Sequence, residues 1–204
     1  MPSGINDNGI IVGNYSRPFE DFAYMYVNGE CKNMPDFNGS VVSPTGINNT
    51  GHIVGSYPVG QNTFQGFEFE NGTYTEITVP GSTQTYPFGI NNTGDINGTY
   101  YDASGAEHGF LLHNGTYQTI DYPNATKTAG NGLNDGDFAV GSYLNPTTQV
   151  YNGFLTKSGQ FMQIMVPGSI TTFPISINDS NVMVGSYYNG TPNPVGFIAT
   201  PSGH

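Results

Sequence analysis

The chain has 204 residues, and its 4 Lys and Arg against 15 Asp and Glu give a formal net charge of -11. A nucleic-acid binder needs a basic stripe that displaces counterions from phosphates, and so few cations cannot form one. The same charge disfavours anionic membrane surfaces, and no apolar run approaches the roughly 18 residues of a membrane span. With 29 Gly, 14 Pro and 13% aromatic residues, the composition indicates a turn-rich β protein.

A twelve-residue motif recurs along the whole chain. Its second copy, residues 46–57, reads GINNTGHIVGSY, and the other copies start at residues 4, 89, 132 and 176. The starts are therefore 42, 43, 43 and 44 residues apart. A fixed period of this length predicts a repeat architecture.

Each copy predicts four short antiparallel strands. In the second copy, the first strand ends at the Gly-Ile-Asn segment, and the next three fall near residues 52–57, 66–70 and 74–79. The second strand alternates apolar and polar residues, as half-buried strands do. Asn71-Gly72 between the last two strands is the strongest short hairpin signal. No segment has a helical apolar period, so essentially no helix is expected.

A period of about 40 to 45 residues with four strands is typical of a β-propeller blade. Five copies predict an all-β, five-bladed β-propeller that forms a single domain over residues 1–204. The Gly-Ile-Asn strand is expected to be innermost, and the strand of the 74–79 type outermost. The fifth copy stops at a turn around Ser202-Gly203, so the last blade is expected to lack its outer strand and to expose an edge near residues 195–200.

The repeat also resembles a known family. The pattern G-I-N-x-x-G-x-I-V-G-x-Y, followed by G-F-L, N-G-T-Y and I-D-Y-P, is similar to the HAF repeats of bacterial extracellular proteins. The resemblance covers nearly the whole chain, with residues 89–134 as the closest copy. It implies a propeller-type protein that is secreted or exposed at the cell surface, and it implies no settled activity and no catalytic residues. Asn97 in place of Val and Ser176 in place of Gly depart from the pattern.

One Asn recurs in every copy, at Asn6, Asn48, Asn91, Asn134 and Asn178. In a closed ring these amides would surround the axis, where they could hold water, an ion or a sugar hydroxyl. The favoured interpretation is that each amide bonds the backbone of its own turn, as Asn commonly does. The Asp residues of these turns are interpreted in the same way, because calcium requires six to eight oxygen ligands including several carboxylates. No metal site and no cofactor are expected.

The loop between the second and third strands varies in sequence and length from copy to copy. In repeat folds such insertions collect on one face, which is often the binding face. The candidate ligand-binding residues there are Arg17, Phe19, Phe64, His108 and Tyr151. The aromatic residues that recur within the strands are assigned to the core, and the single cysteine, Cys31, is expected to be a buried strand residue.

Two functions fit this pattern. The first is a non-catalytic binding or scaffold propeller of a secreted bacterial protein, with a glycan or surface polymer as the ligand of its variable loops. The alternative is a hydrolase acting on sugars, which would need two carboxylates facing one cleft. Its candidate acids are scattered over different repeat positions: Glu76, Asp95, Asp102, Glu107 and Asp121. A homodimer through the open edge of the last blade is a further expectation.

Overall fold

The computed structural model describes residues 1–201 and folds into five antiparallel sheets, each of which forms one blade. Four of these sheets contain four strands and the last contains three. The predicted five-bladed β-propeller, with a last blade that lacks its outer strand, is confirmed. The turn expected at Ser202-Gly203 lies outside the described residues.

The strands follow one another along each blade in chain order. The first blade contains β1 (Pro2–Ile5), β2 (Ile11–Arg17), β3 (Glu20–Val27) and β4 (Glu30–Asn33). The second contains β5 (Ser43–Ile47), β6 (Ile53–Gly60), β7 (Thr63–Glu70) and β8 (Thr73–Ile77). The third contains β9 (Gln84–Ile90), β10 (Ile96–Tyr101), β11 (Glu107–His113) and β12 (Thr116–Thr119). The fourth contains β13 (Thr128–Leu133), β14 (Ala139–Leu144), β15 (Tyr151–Lys157) and β16 (Gln160–Ile164), and the fifth contains β17 (Thr171–Ile177), β18 (Met183–Tyr188) and β19 (Val195–Ala199).

The first strand of every blade faces a central channel of about 970 Å³. The channel wall is built mainly from five equivalent segments, residues 2–7, 45–49, 88–92, 131–135 and 173–179. The Gly-Ile-Asn strand is therefore innermost, as expected from the missing fourth strand of the last copy.

The hairpins between third and fourth strands form where the sequence places Asn-Gly or Ser-Gly pairs. Asn28, Asn71, Asn114 and Ser158 have φ angles of 52°, 49°, 49° and 50°, and the Gly after each also has a positive φ. This left-handed backbone at both central positions matches the twist of two-residue hairpin turns.

The second strand of each blade has a Gly opposite an aromatic residue of the third strand, which is Tyr24 in the first blade and a Phe in the other four. Gly98 pairs with Phe110, which is fully buried, and the same pairing recurs for Gly55 and Gly141 in the neighbouring blades. A Cβ at Gly98 would lie 2.8 Å from the Phe110 ring and still closer to the carbonyl oxygen of Tyr86. Side chains larger than hydrogen are therefore excluded at this position.

The outermost strand of the first blade is exposed along its whole length. Cys31 lies on this strand and its thiol is exposed, so the expected burial of Cys31 is wrong. The reason is its place in the blade, because nothing among residues 1–201 covers this outermost strand, whereas Ile77 on the outermost strand of the second blade is buried. Within residues 1–201, no helix is long and apolar enough to cross a membrane.

Candidate functional site

The alternation of strand direction separates the molecule into two faces. The turns that join first to second strands, together with the Asn-Gly hairpins, lie on one side, which we call the Asn-turn face. The loops that join second to third strands lie on the other side, which we call the variable-loop face. The two faces stand roughly 20 Å apart, the length of a six-residue strand. The two groups of candidate residues are thereby separated, since the recurrent Asn lie on the first face and the loop candidates on the second.

On the Asn-turn face, each recurrent Asn holds its own turn together. The Asn91 side-chain oxygen accepts the backbone N–H of Thr93 at 3.1 Å and that of Asp95 at 2.8 Å. The corresponding oxygens of Asn6, Asn48, Asn134 and Asn178 accept the same pair of backbone N–H groups. The interpretation of these residues as turn-forming is confirmed.

The same side chains also join each blade to the next. The Asn48 amide nitrogen donates to the Asn91 carbonyl oxygen at 2.9 Å, and Asn6, Asn91 and Asn134 donate to the next blade in the same way. A parallel series runs one residue further on, where the backbone N–H of Asn49 donates to the Asn92 side chain at 2.7 Å. The four Asn that have a following blade are buried. Their hydrogen-bonding groups are largely occupied by the protein itself, which favours a structural function.

On the variable-loop face, five half-buried aromatic side chains follow one another across four blades. We call this set the aromatic arc, and it consists of Phe64, Tyr86, Tyr101, Tyr151 and Phe173. The ring centroids of Phe64 and Tyr86 are 5.8 Å apart, those of Tyr86 and Tyr101 are 6.1 Å apart, and those of Tyr151 and Phe173 are 5.7 Å apart. Phe173 also lines the channel, so this end of the arc borders it.

Polar groups lie within the arc. Partial burial raises the pKa of Tyr101, and the neighbouring Glu107, Tyr86 and Tyr151 raise it further. Burial also raises the pKa of Glu107, while Lys127 and the Tyr101 hydroxyl partly offset that effect. The Tyr86 hydroxyl donates to the Gln84 side-chain oxygen at 2.7 Å. The arc thus offers aromatic faces edged by hydroxyl, carboxyl and amide groups, which is the composition of a small-molecule or polymer site.

Of the loop candidates, Phe64 and Tyr151 belong to the arc, and Arg17 and Phe19 lie apart from it in the first blade. The Arg17 guanidinium lies 5.5 Å from the centroid of the Tyr15 ring and 5.5 Å from that of Phe22. Phe19 is fully exposed at a hairpin tip with a φ of 76°. These residues form a separate exposed aromatic and cationic tip.

His108 sits between two carboxylates and stacks on an aromatic ring. Its Nδ1 lies 2.7 Å from Asp121 Oδ2, its Nε2 lies 3.5 Å from Asp102 Oδ2, and its ring centroid lies 5.0 Å from that of Tyr100. Partial burial lowers the pKa of His108, but the hydrogen bonds and charges of Asp121 and Asp102 outweigh it, so the pKa is raised overall. The Ser104 hydroxyl and the Ala106 backbone N–H lower the pKa of Asp102 to about 2. This arrangement stabilises a loop.

The remaining candidate acids are held by local partners. Glu76 accepts the Tyr57 hydroxyl at 2.5 Å, and burial together with this carboxylate raises the pKa of Tyr57 to about 12. Asp95 is buried and contacts His113 Nδ1 at 2.8 Å. In residues 1–201, no group of three or more His, Cys, Asp or Glu side chains is arranged to hold a metal ion.

Tyr86, Tyr101 and Phe173 were not among the sequence-derived candidates. Tyr86 and Phe173 are equivalent residues three positions before the repeated motif, but the other three copies have no aromatic residue there, and Tyr101 lies at another position. No period common to all copies therefore marks them as a set. Their only signal is that each lies at or near the end of a strand on the variable-loop side.

Comparisons with solved structures identify similar folds. The chain aligns over 98% of its length with TolB from Acinetobacter baumannii at a TM-score of 0.73 and 15% identity, and covers 51% of that chain. It aligns equally fully with the putative TolB from Agrobacterium tumefaciens at a TM-score of 0.73 and 11% identity, and covers 76% of that chain. The β-propeller domain of the Trilobed protease from Pyrococcus furiosus aligns over 93% of the present chain with a TM-score of 0.62 and 14% identity, and 60% of that chain is covered.

The chain thus spans about half the length of the Acinetobacter TolB. No family model matches the chain, and no match is found among curated proteins. At these identities, the structural comparisons show a shared propeller fold.

Proposed function

We propose that this protein is a non-catalytic binding or scaffold propeller that recognises a glycan or surface polymer across the aromatic arc. The observation that carries the proposal is the arc itself, in which partly exposed rings lie about 6 Å apart between the second and third blades, within the third blade, and between the fourth and fifth blades. An extended polymer has repeating units, and a row of rings can contact several units at once.

The physical basis is the amphipathic surface of a sugar ring. Its C–H face packs on an aromatic ring, and its hydroxyls take hydrogen bonds from groups at the ring edges. The arc supplies both kinds of group, since Tyr101 and Glu107 lie side by side as cross-strand partners. Rings that are already half-buried lose little conformational freedom on binding, which favours affinity.

The proposal includes secretion or display at a bacterial cell surface. Its support is the resemblance of the repeats to the HAF family, together with the propeller fold that the chain shares with TolB proteins. The acidic net charge of -11 suits a neutral or cationic polymer better than an anionic one.

A glycan array and a panel of soluble polysaccharides test this function. The wild-type protein is expected to bind at least one glycan. Tyr86→Ala combined with Tyr101→Ala is expected to weaken binding at least about tenfold, because two adjacent aromatic contact surfaces are removed. Tyr26→Ala, at a 40% exposed Tyr outside the arc, is the matched control and should leave binding unchanged. Absence of any glycan signal above background would remove the carbohydrate assignment.

A hydrolase acting on sugars is the second candidate. The observation in its favour is Glu107, a carboxyl with a raised pKa inside the arc, because general acids in glycoside hydrolysis have raised pKa values. Turnover of a chromogenic glycoside panel that is lost in Glu107→Gln would support it. Binding without turnover in the same panel would support the non-catalytic function.

The open edge of the last blade suggests a homodimer. β19 pairs with β18 on one side, and no strand among residues 1–201 pairs with its other side. Val195 and Ile198 on this strand are exposed, and the strand carries no charged residue to deter pairing. We propose that a second copy adds a strand here, and a strictly monomeric protein at high concentration in light-scattering measurements would contradict it.

A further inference from the structure

Four junctions between consecutive blades share one design. At three of them a Val in the second strand of one blade packs against apolar residues of the next blade, as Val54 packs with Ile90 and Ile96. At the junction of the third and fourth blades Asn97 takes this position, and its amide donates to the Gly132 carbonyl oxygen. The recurrent Asn of the first blade in each pair donates to the carbonyl oxygen of the next Asn. A Gly in the innermost strand gives the backbones room, since a Cβ at Gly46 would lie 2.7 Å from the carbonyl oxygen of Phe88.

The side of the fifth blade that corresponds to the side contacting the following blade has the same Val as three of the other blades and the same Asn as all of them. Among residues 1–201, nothing covers it. Val184 is 42% exposed, whereas its equivalents Val12, Val54 and Val140 are 0% exposed. Asn178 is exposed, although the other four Asn of the series are buried. Among residues 1–201, its amide nitrogen has no hydrogen-bond partner of the kind that Asn134 finds.

The side of the first blade that corresponds to the side contacting the preceding blade has the same Ile residues as the second and third blades. It is also uncovered among residues 1–201. Ile5 is 67% exposed, whereas the equivalent Ile47 and Ile90 are 9% and 8% exposed. Ile11 is partly exposed, whereas its equivalent Ile53 is completely buried. We call the Val184 side and the Ile5 side the two terminal faces.

Two positions of the fifth blade that correspond to inter-blade Gly positions also indicate that no blade packs against this side within residues 1–201. At the position of Gly46, the fifth blade has Ser176, whose exposed side chain meets no following blade. A Cβ at Gly153 would lie 2.6 Å from Pro174 of the next blade, whereas one at Gly196 would meet only the carbonyl oxygen of Gly185 in its own blade at 3.9 Å. The close approach that requires Gly elsewhere is therefore absent on this face.

We propose that the two terminal faces receive one further blade of the same repeat class, with a Gly-Ile-Asn strand innermost. Such a blade would pack its Ile residues against Val184 and its Val, Gly and Asn residues against Ile5. Both terminal faces would then make the same kinds of contacts as the existing junctions. It also receives a hydrogen bond from the Asn178 amide and donates one to the Asn6 carbonyl oxygen. A second copy of this chain would instead cover one face of each molecule and continue head to tail without closing.

Hydrogen exchange on the full chain provides the first half of the test. In the protein alone, amides of β1 and β18 are expected to exchange at least about tenfold faster than those of the equivalent β9 and β10, because an uncovered face opens locally. Equal protection of the two pairs of strands would mean that the terminal faces already close on each other, and would overturn the proposal.

An extended chain provides the second half. A copy of residues 116–164, fused to the end of the chain, supplies an outer strand for the last blade and one complete further blade. The extension should slow exchange in β1 and β18 by at least about tenfold. The matched control is the same extension with Leu133→Asp and Val140→Asp in the appended copy alone, and it should give no protection at β1.

Two results would overturn the inference. One is an extension that protects β1 and β18 no better than its control. The other is protection of β1 in the unextended protein that rises with protein concentration together with larger species in mass photometry. Such protection would identify a second copy as the occupant, because a dimer through the β19 edge leaves β1 uncovered.

Discussion

The Asn-turn face and the variable-loop face are the two ends of the same strands, and they differ in almost every respect. On the first face, each blade repeats the same turn, and the side chains of Asn48 and Asn91 are occupied by hydrogen bonds within and between blades. On the second face, loops differ from blade to blade and the aromatic arc leaves ring surface exposed. The repeated turns therefore stabilise the fold on the Asn-turn face, whereas the sequence of the variable-loop face differs between blades.

This difference indicates that residues repeated in every blade have a structural role, whereas recognition is expected from residues that are not repeated in every blade. A residue that recurs in every blade, such as Asn91, is explained by the contacts it makes in every blade. Tyr86 and Tyr101 have aromatic equivalents only in the fifth blade, at Phe173 and Tyr188, and no contact shared by all five blades requires them. The residues with the least periodic support are thus the better candidates for recognition.

The largest expected effect comes from removing one recurrent amide. Asn91→Ala leaves the buried N–H of Asp95 and the part-buried N–H of Thr93 without an acceptor and should lower the free energy of unfolding by about 3 kcal/mol. Asn178→Ala is the matched control, and because Asn178 is exposed it should cost less than about 1 kcal/mol. Urea denaturation measures both, and equal losses would show that the amides act within their own turns alone.

A somewhat smaller loss of stability is expected from a substitution in the middle of a strand, between the two faces. Gly98→Val forces a side chain against the Phe110 ring and the Tyr86 carbonyl group, and should cost roughly 1–3 kcal/mol through overpacking. Gly60→Val is the control, because the nearest atoms to a Cβ at Gly60 are 3.8 Å away. An unchanged melting temperature for Gly98→Val would contradict this account of the blade.

The sequence allowed the blades to be predicted because every repeat contains its own local signals. Asn71-Gly72 specifies a hairpin wherever it occurs, and the strand alternation specifies which residues face the core. The cross-blade bond from Asn48 to Asn91 could not be predicted, because it depends on how two blades pack. The arc could not be predicted either, since Phe64, Tyr86 and Tyr101 come from unrelated positions of the repeat.

The smallest expected effect is a pH dependence at the variable-loop face. His108 has a raised pKa in the folded protein, so its protonated form stabilises the fold at pH values below the unfolded pKa of about 6.5. This contribution is lost as the pH rises through the folded pKa of His108. Because the ring is partly solvated, wild type and His108→Gln should differ by less than about 1 kcal/mol near pH 5.

The stabilities of the two proteins should differ less near pH 8 than near pH 5, because the contribution of protonated His108 decreases as the pH rises toward and through its raised folded pKa. Thermal unfolding at both pH values measures the difference. A His108→Gln variant that is destabilised equally at both would mean that the ion pairs with Asp102 and Asp121 are not the cause.

The central claim is that recognition belongs to the variable-loop face, and chemical-shift mapping by NMR tests it most directly. The labelled protein is titrated with the strongest binder from the glycan array, and the shifted backbone and ring signals are assigned. We predict perturbations centred on Phe64, Tyr86 and Tyr101, with the Asn-turn residues unchanged. Perturbations centred on Asn48, Asn91 and the turns around them would contradict the claim.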